Sequence, residues 1–312
     1  MHRSSRFRLL VLSLVASVCV TGLTASSAGA VVSVGIGDQN PEVFSEPLFK
    51  QLGVKRTRYV TPWNSITADP VKLDTWIRTA QRNGLEPHIA FGKRQGLVCP
   101  SRLCRPPSIR SYTAAFRAFR AKYPEVKVIA PWNEANSNTN EAGKSPRFAA
   151  QTFNVARRYC RGCTLVGADL LDINNLSRYI DQFRRFADAE PRIWGLHNYG
   201  DTNRFRTNGA RTLLKKVRGR IWFTETGGIV TFRTVDGRVA LPTSESRAAR
   251  SYEFLLGRLV NLDRRRIQRV YTYNWKPLPP GMLDRFDAGV VRFDGTPRPS
   301  YGVLQKYRSL IK

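Results

Sequence analysis

The sequence predicts an α/β fold, a single (β/α)8 TIM barrel, from three observations. Eight short apolar runs alternate with amphipathic stretches from residue 31 onward. Most of these runs are nearly continuous in apolar residues, as strands covered on both faces must be. The whole alternation fits in about 250 residues, the usual span of such a barrel. A doubly wound open sheet is the competing architecture, and it would place a glycine-rich phosphate turn after the first strand. Here the first run ends GIGDQN, with no third glycine and no acid in ribose position. No Pro/Gly/Ser-rich linker divides the chain, so residues 31–312 read as one domain.

The expected strands are residues 31–37, 55–60, 86–92, 126–130, 164–169, 192–199, 220–226 and 269–275. Between them lie helical stripes. Leu73, Trp76, Ile77 and Ala80 follow an Asp69-Pro70 start, and Tyr112, Phe116, Phe119 and Tyr123 follow Ser108. Phe148, Thr152, Val155 and Tyr159 follow Ser145-Pro146. Leu176, Tyr179, Ile180, Phe183 and Phe186 form a further stripe, then Leu255, Leu256, Leu259 and Leu262. Tyr301, Leu304 and Tyr307 close the chain. Ser or Asp followed by Pro supplies a cap and a first helical residue. Gly84 marks the end of the helix that begins at Pro70. Two connections are longer than a link requires: 92–107 and 227–243, the second carrying an Asp236-Gly237 hairpin signal.

Residues 1–30 read as a secretory leader. Arg3, Arg6 and Arg8 precede the apolar Leu9–Val20, and Ala28-Gly29-Ala30 is a cleavage site. The apolar run is too short for a stable bilayer span, and none later approaches that length. The expected product is secreted, or associated with the cell surface, after cleavage near Ala30. Removal of the leader from a chain of 312 leaves 282 residues and lowers the formal charge from +28 to +25. Cys99, Cys104, Cys160 and Cys163 then remain, an even number for an oxidising compartment. Sequential pairing, Cys99–Cys104 and Cys160–Cys163, is one of three connectivities. Zinc is the rival for CRGC, but no second pair stands at ligand spacing. Of the 51 basic residues 39 are Arg, and they are scattered rather than gathered in one tract. With export, that argues against nucleic acid and leaves either a solvated basic surface or attraction to an anionic polymer.

In a barrel of this kind chemistry sits at the C-terminal ends of the strands. The polar residues expected there include Asp38, Arg58, Trp63, Asn133, Glu134, Asp169, His197, Tyr199, Glu225, Tyr273 and Trp275. Glu134 and Glu225 end the fourth and seventh strands, 91 residues apart, and would face one another across the barrel. Two carboxyls flanking one substrate are the minimum for glycoside hydrolysis, one as general acid and one as nucleophile. Trp63, Trp132, Tyr199 and Trp275 are available to meet sugar rings.

These segments resemble those of the clan A glycoside hydrolases, (β/α)8 retaining enzymes with the acid/base on strand 4 and the nucleophile on strand 7. PWNEAN (131–136) resembles their W-N-E-P-N signature, with Ala135 where Pro is usual. WFTETG (222–227) resembles the nucleophile segment, HNY (197–199) the strand 6 H-x-Y, and YTYNW (271–275) a strand 8 ending in a platform Trp. The closing segment AGVVRFDGTPRPSYGVLQKY resembles the tail of many members. The resemblance implies Glu134 as acid/base and Glu225 as nucleophile. It also implies Asn133 on the sugar 2-hydroxyl, Tyr199 orienting Glu225, and His197 lining the subsite. Arg58 would keep Glu225 ionised, Trp63 would meet the sugar and Trp275 would stack under it. Retention requires carboxyls about 5–5.5 Å apart, inversion roughly 6.5–9.5 Å.

Duller readings stand beside these. His88 is expected to be a hydrogen-bonded interior histidine, and Asp38 and Asp169 to cap helices or brace loops. Arg58 could serve only as an ion-pair partner, and Trp63 and Trp132 only as core aromatics. No metal or organic cofactor is called for: the expected mature chain has only His88 and His197, with no ligand cluster, no G-x-S-x-G and no phosphate loop. The expected partner is an oligo- or polysaccharide, for which the charge allows an acidic glycan without demanding one. The chain is read as a monomer. The alternative is a non-catalytic barrel that binds a carbohydrate or an anionic wall polymer.

Overall fold

The computed structural model describes residues 32–94, 105–142, 144–234, 236–279 and 285–311. The expected leader at 1–30 and the expected Cys99–Cys104 pairing lie outside them.

Eight parallel strands close into a barrel. They are β1 (Ser33–Gly37), β2 (Arg56–Pro62), β3 (Glu86–Gly92), β4 (Val128–Ala130), β5 (Thr164–Leu171), β6 (Ile193–His197), β7 (Arg220–Thr226) and β10 (Ile267–Tyr273). Each pairs with its neighbour in chain order, and β10 closes the ring on β1, from Ser33 opposite Arg269 to Gly37 opposite Tyr273. All eight expected strands are present, displaced by only a few residues at their ends. The long connection after β7 is a hairpin, as Asp236-Gly237 signalled: β8 (Thr231–Arg233) pairs antiparallel with β9 (Val239–Leu241), and Gly237 takes φ 82° in the turn. The sequence pattern did not show β11 (Phe286–Asp287), two residues that add to the outer side of β8.

The helices form the outer layer, and their apolar stripes face the strands. Pro70–Arg82 buries Leu73, Trp76, Ile77 and Ala80, and Asp69 caps it by accepting the Lys72 N–H. Ile109–Lys122 buries Tyr112, Phe116 and Phe119 behind a Ser108 cap. Pro146–Tyr159 buries Phe148, Ala149, Ala150, Thr152, Phe153 and Ala156, and the expected Val155 and Tyr159 pack partly buried against the same core. Phe186, expected in the stripe, is instead exposed, because the helix Leu176–Arg184 ends before it. Cys160 and Cys163 are joined in a disulfide that closes the turn into β5. Among the described residues no helix is long and apolar enough to cross a membrane.

The barrel interior is stratified. Its lower part is apolar: Val128, Ala130, Val166, Ile193, Trp222 and Tyr271. Above them comes a polar layer of Arg58, His88, Asp169, His197 and Thr224, every one buried. Gly195 makes room for it, since a Cβ there would meet Asp169 Oδ1 and come within 2.8 Å of both Thr224 Oγ1 and Val166 Cγ1. This layer carries the rim on which the two glutamates stand.

Candidate active site

Residues 131–136 leave β4 as a turn pinned from several sides. Asn133 N–H donates to Phe91 O, and the Asn140 side chain donates to Asn133 O while accepting from Trp132 Nε1. Asn136 holds both the N–H and the C=O of Leu171 at the end of β5. Ala135 N–H donates to Asp169 O at 2.8 Å. A proline at 135 would lack that donor, which gives the departure from W-N-E-P-N a physical reason. Glu134 sits among these bonds with φ 46°, a left-handed conformation costly for a non-glycine residue and held by its surroundings.

Arg58 rises from β2 beneath both glutamates. Its Nη1 donates to Glu225 Oε2 at 2.7 Å, and its Nη2 donates to Asp169 Oδ2 at 2.7 Å and to Asn133 Oδ1. Thr224 Oγ1 donates to the other Asp169 oxygen. The side chains of Arg58 and Asp169 are 2% and 0% exposed, against 13% for Glu225 and 29% for Glu134. Exposure therefore increases toward the two carboxylates, the groups a ligand can reach. Burial works against the charge on Asp169, but His197 and Arg58 hold it far below the ordinary carboxylate range. Burial likewise disfavours charge on Arg58, and Asp169 and Glu225 more than restore it. The sequence reading took Asp169 for a cap or brace; it is instead the buried anion at the centre of this network.

His197 stands between the layers. Its Nδ1 is 3.2 Å from Glu134 Oε1 and 3.9 Å from Glu225 Oε2, and its Nε2 is 3.3 Å from Asp169 Oδ1. The ring is fully buried, so it brackets the two acids from below rather than lining a subsite, which corrects the expectation. Burial alone would lower its pKa, but Asp169, Glu225 and the bond to Glu134 raise it to about 10. The unfolded value is near 6.5, so above that pH the native chain holds a proton the unfolded chain has lost. Stability from this group is complete below about pH 6.5 and is lost as pH rises toward 10. The urea midpoint is expected to fall between pH 7 and 9.5, and to fall less in His197→Asn. An equal decline in both proteins would refute this account.

Glu134, His197 and Glu225 each offer an atom within 4.8 Å of those of the other two. That triad has the composition of a metal site. Arg58 already bonds Glu225 Oε2, however, so a cation of the chain itself sits on one of these carboxylates. The same figure places a carboxylate oxygen of Glu134 within 4.8 Å of one of Glu225. Tyr199 Oη donates to Glu225 Oε1 at 3.2 Å, in the orienting position expected of it.

The aromatic residues differ from expectation. Trp275 is fully buried, packed on Phe49 and Tyr301, with Nε1 donating to Glu46. It presents no face to a sugar, because Asp38 takes its N–H just past β10 and the ring turns outward into the helix layer. Trp132 is likewise core, against Tyr112 and Phe148. Trp63 is half-buried against the core, and among the described residues it is absent from the cavity of about 250 Å³ beside Asn133 and Glu134. His88 is interior as expected, but neither ring nitrogen has a hydrogen-bond partner among the described residues, and burial and Arg58 keep it neutral. The rings near Glu225 are Tyr199 and, 5.6 Å from it, Phe286, which also lies 6.4 Å from Tyr273. Tyr273 and Phe286 line a larger cavity of about 820 Å³.

Neither a scan against protein-family models nor a search of curated proteins gives a match. Solved structures do match. A monomeric β-xylosidase from Caulobacter crescentus CB15 superposes with TM-score 0.65 at 15% identity, over 90% of this chain and 69% of that one. GH5_18 from Streptomyces cattleya, in complex with GlcNAc, gives 0.62 at 12% identity over 91% and 81%. An endo-1,4-β-xylanase from Caldicellulosiruptor owensensis gives 0.58 at 14% over 88% and 96%. What this chain shares with these enzymes, at that identity, is the (β/α)8 fold.

Proposed function

We propose that the protein is a secreted retaining β-glycosidase acting on a polysaccharide. The observation that carries the reading is the pair of partly exposed carboxylates, Glu134 and Glu225, with oxygens within 4.8 Å above a buried polar layer. That spacing suits direct attack by a carboxylate and leaves little room for the intervening water that inversion needs. Glu134 in its protonated form gives its proton to the glycosidic oxygen. Glu225 attacks the anomeric carbon as the bond to the leaving oxygen breaks, forming a glycosyl ester. Glu134 then takes a proton from water, whose oxygen displaces Glu225. Arg58 and Tyr199 fix the attacking carboxylate, so its orientation is set before substrate arrives. Asn133, on the rim beside Glu134, is placed for a sugar hydroxyl.

The leader supports export. A cavity beside Glu134 and a second lined by Tyr273 and Phe286, the latter packed on Tyr199, support cleavage within a chain. The fold neighbours include a β-xylosidase and a β-xylanase, which puts β-xylan first among the glycans to try. The test is reducing-end release from neutral and acidic β-glycans, with the first-formed anomer followed by NMR. Release with retained configuration is the expected result. Inverted product would overturn the mechanism, and no release from any glycan would favour the binding barrel.

A further inference from the structure

Three cations line the larger cavity outside any ion pair among the described residues: Arg233, Arg285 and Lys72. Arg233 on β8 and Arg285, just before β11, lie side by side across the antiparallel pairing, with Arg233 N–H bonded to Arg285 O. Like charges placed opposite one another on paired strands destabilise them. Lys72 enters the same cavity from the helix Pro70–Arg82. Among the described residues none of these three side chains is in an ion pair. The acid near Arg285, Asp236, is bonded to Thr234 instead. The carboxylate in the cavity wall, Asp38, is buried with its oxygens taken by the N–H groups of Asn40, Trp275 and Lys276. Lys276 in the same wall is already paired with Glu46.

The aromatic component is in place beside these cations. Phe286 joins this wall to Tyr199, which bonds Glu225. A sugar stacked there would present its ring substituents to two guanidiniums.

We propose that this cavity is a subsite for an anionic sugar, one bearing a carboxylate or a sulfate, so that the substrate is an acidic glycan. The proposal rests on the glycan-cleft reading above and adds the class of substrate. Guanidinium forks match either anion in two-point contact, and a cleft of one sign concentrates the opposite charge. An anion bound between Arg233 and Arg285 would relieve their repulsion, which makes the ligand's charge a determinant of affinity.

Binding and hydrolysis separate the two readings. Titration calorimetry on Glu225→Gln uses three oligosaccharides: one containing glucuronate, its carboxyl-reduced counterpart and a sulfated one. The glucuronate or the sulfated ligand is expected to bind about tenfold or more tightly than the reduced one. Whichever anion gains more identifies the group read. The gain is expected to vanish in Arg233→Gln/Arg285→Gln and to shrink in high salt, while the neutral ligand is unaffected. In the otherwise wild-type enzyme the double variant should raise KM for the acidic glycan and leave kcat unchanged. Equal binding of charged and reduced ligands, or a preference that survives the double variant, would overturn the proposal. Absence of hydrolysis alongside an intact anion preference would remove the glycosidase reading and leave the anionic subsite standing.

Discussion

Glu225→Gln is expected to lower kcat by at least roughly 10⁴-fold, because the amide cannot form the glycosyl ester. The fold should persist, since the amide oxygen can still accept from Arg58 or Tyr199, the two groups that now hold the carboxylate. Circular dichroism and a melting curve close to wild type would establish that the loss is chemical. Glu134→Gln should behave differently. An alcohol leaving group needs a proton, so natural glycans should lose roughly 10²–10⁴-fold. A nitrophenolate leaves without one, so aryl glycosides should lose much less in the glycosylation step. That contrast assigns acid and nucleophile separately. Comparable, small losses in both variants would reject the assignment.

Arg58→Met is expected to destabilise the protein by about 3–5 kcal/mol, the usual cost of leaving buried charge without its partner. The guanidinium is bonded at once to Asn133, Asp169 and Glu225, on the ends of three different strands. Its loss leaves Asp169, with no exposure, dependent on His197 and Thr224. A fall in melting temperature of roughly 10 °C or more should accompany it. Activity should fall further than stability accounts for, since Glu225 loses the donor that aims it. Arg58→Lys keeps the charge but offers no planar fork, and should fall between the two. Asp169→Asn combined with Arg58→Met should cost less than the sum of the single changes, because each removes the other's uncompensated charge. Additive costs would mean that the pair does not act as a unit.

The eight strands were legible because a strand buried on both faces writes itself as an apolar run. The two glutamates were legible because acids at the ends of such runs have nowhere inexpensive to go unless they are rim groups. Asp169 was not, since an acid after an apolar run looks alike whether it braces a loop or anchors a network. Its partner Arg58 lies 111 residues away and only closure of the barrel brings them together. Trp275 misled because periodicity fixes side-chain direction only while the strand lasts. Past Tyr273 the direction depends on Asp38 capturing the next turn, a contact across 237 residues. Phe286 belongs to a strand of two residues, too short to leave any period.

The polar layer also determines where the chain can be cut. Arg58, Asn133 and Glu134 precede residues 137–163, which lead on to β5; Asp169, His197, Tyr199 and Glu225 follow them. Each half of the polypeptide thus carries one of the two acids, and the cation bonding Glu225 comes from the opposite half. On the proposed mechanism, a break in that connection leaves two fragments that are each inert by composition, yet between them hold every group the reaction would use. Catalysis in such a pair would register reassembly of the ring of strands itself, with turnover as its signal.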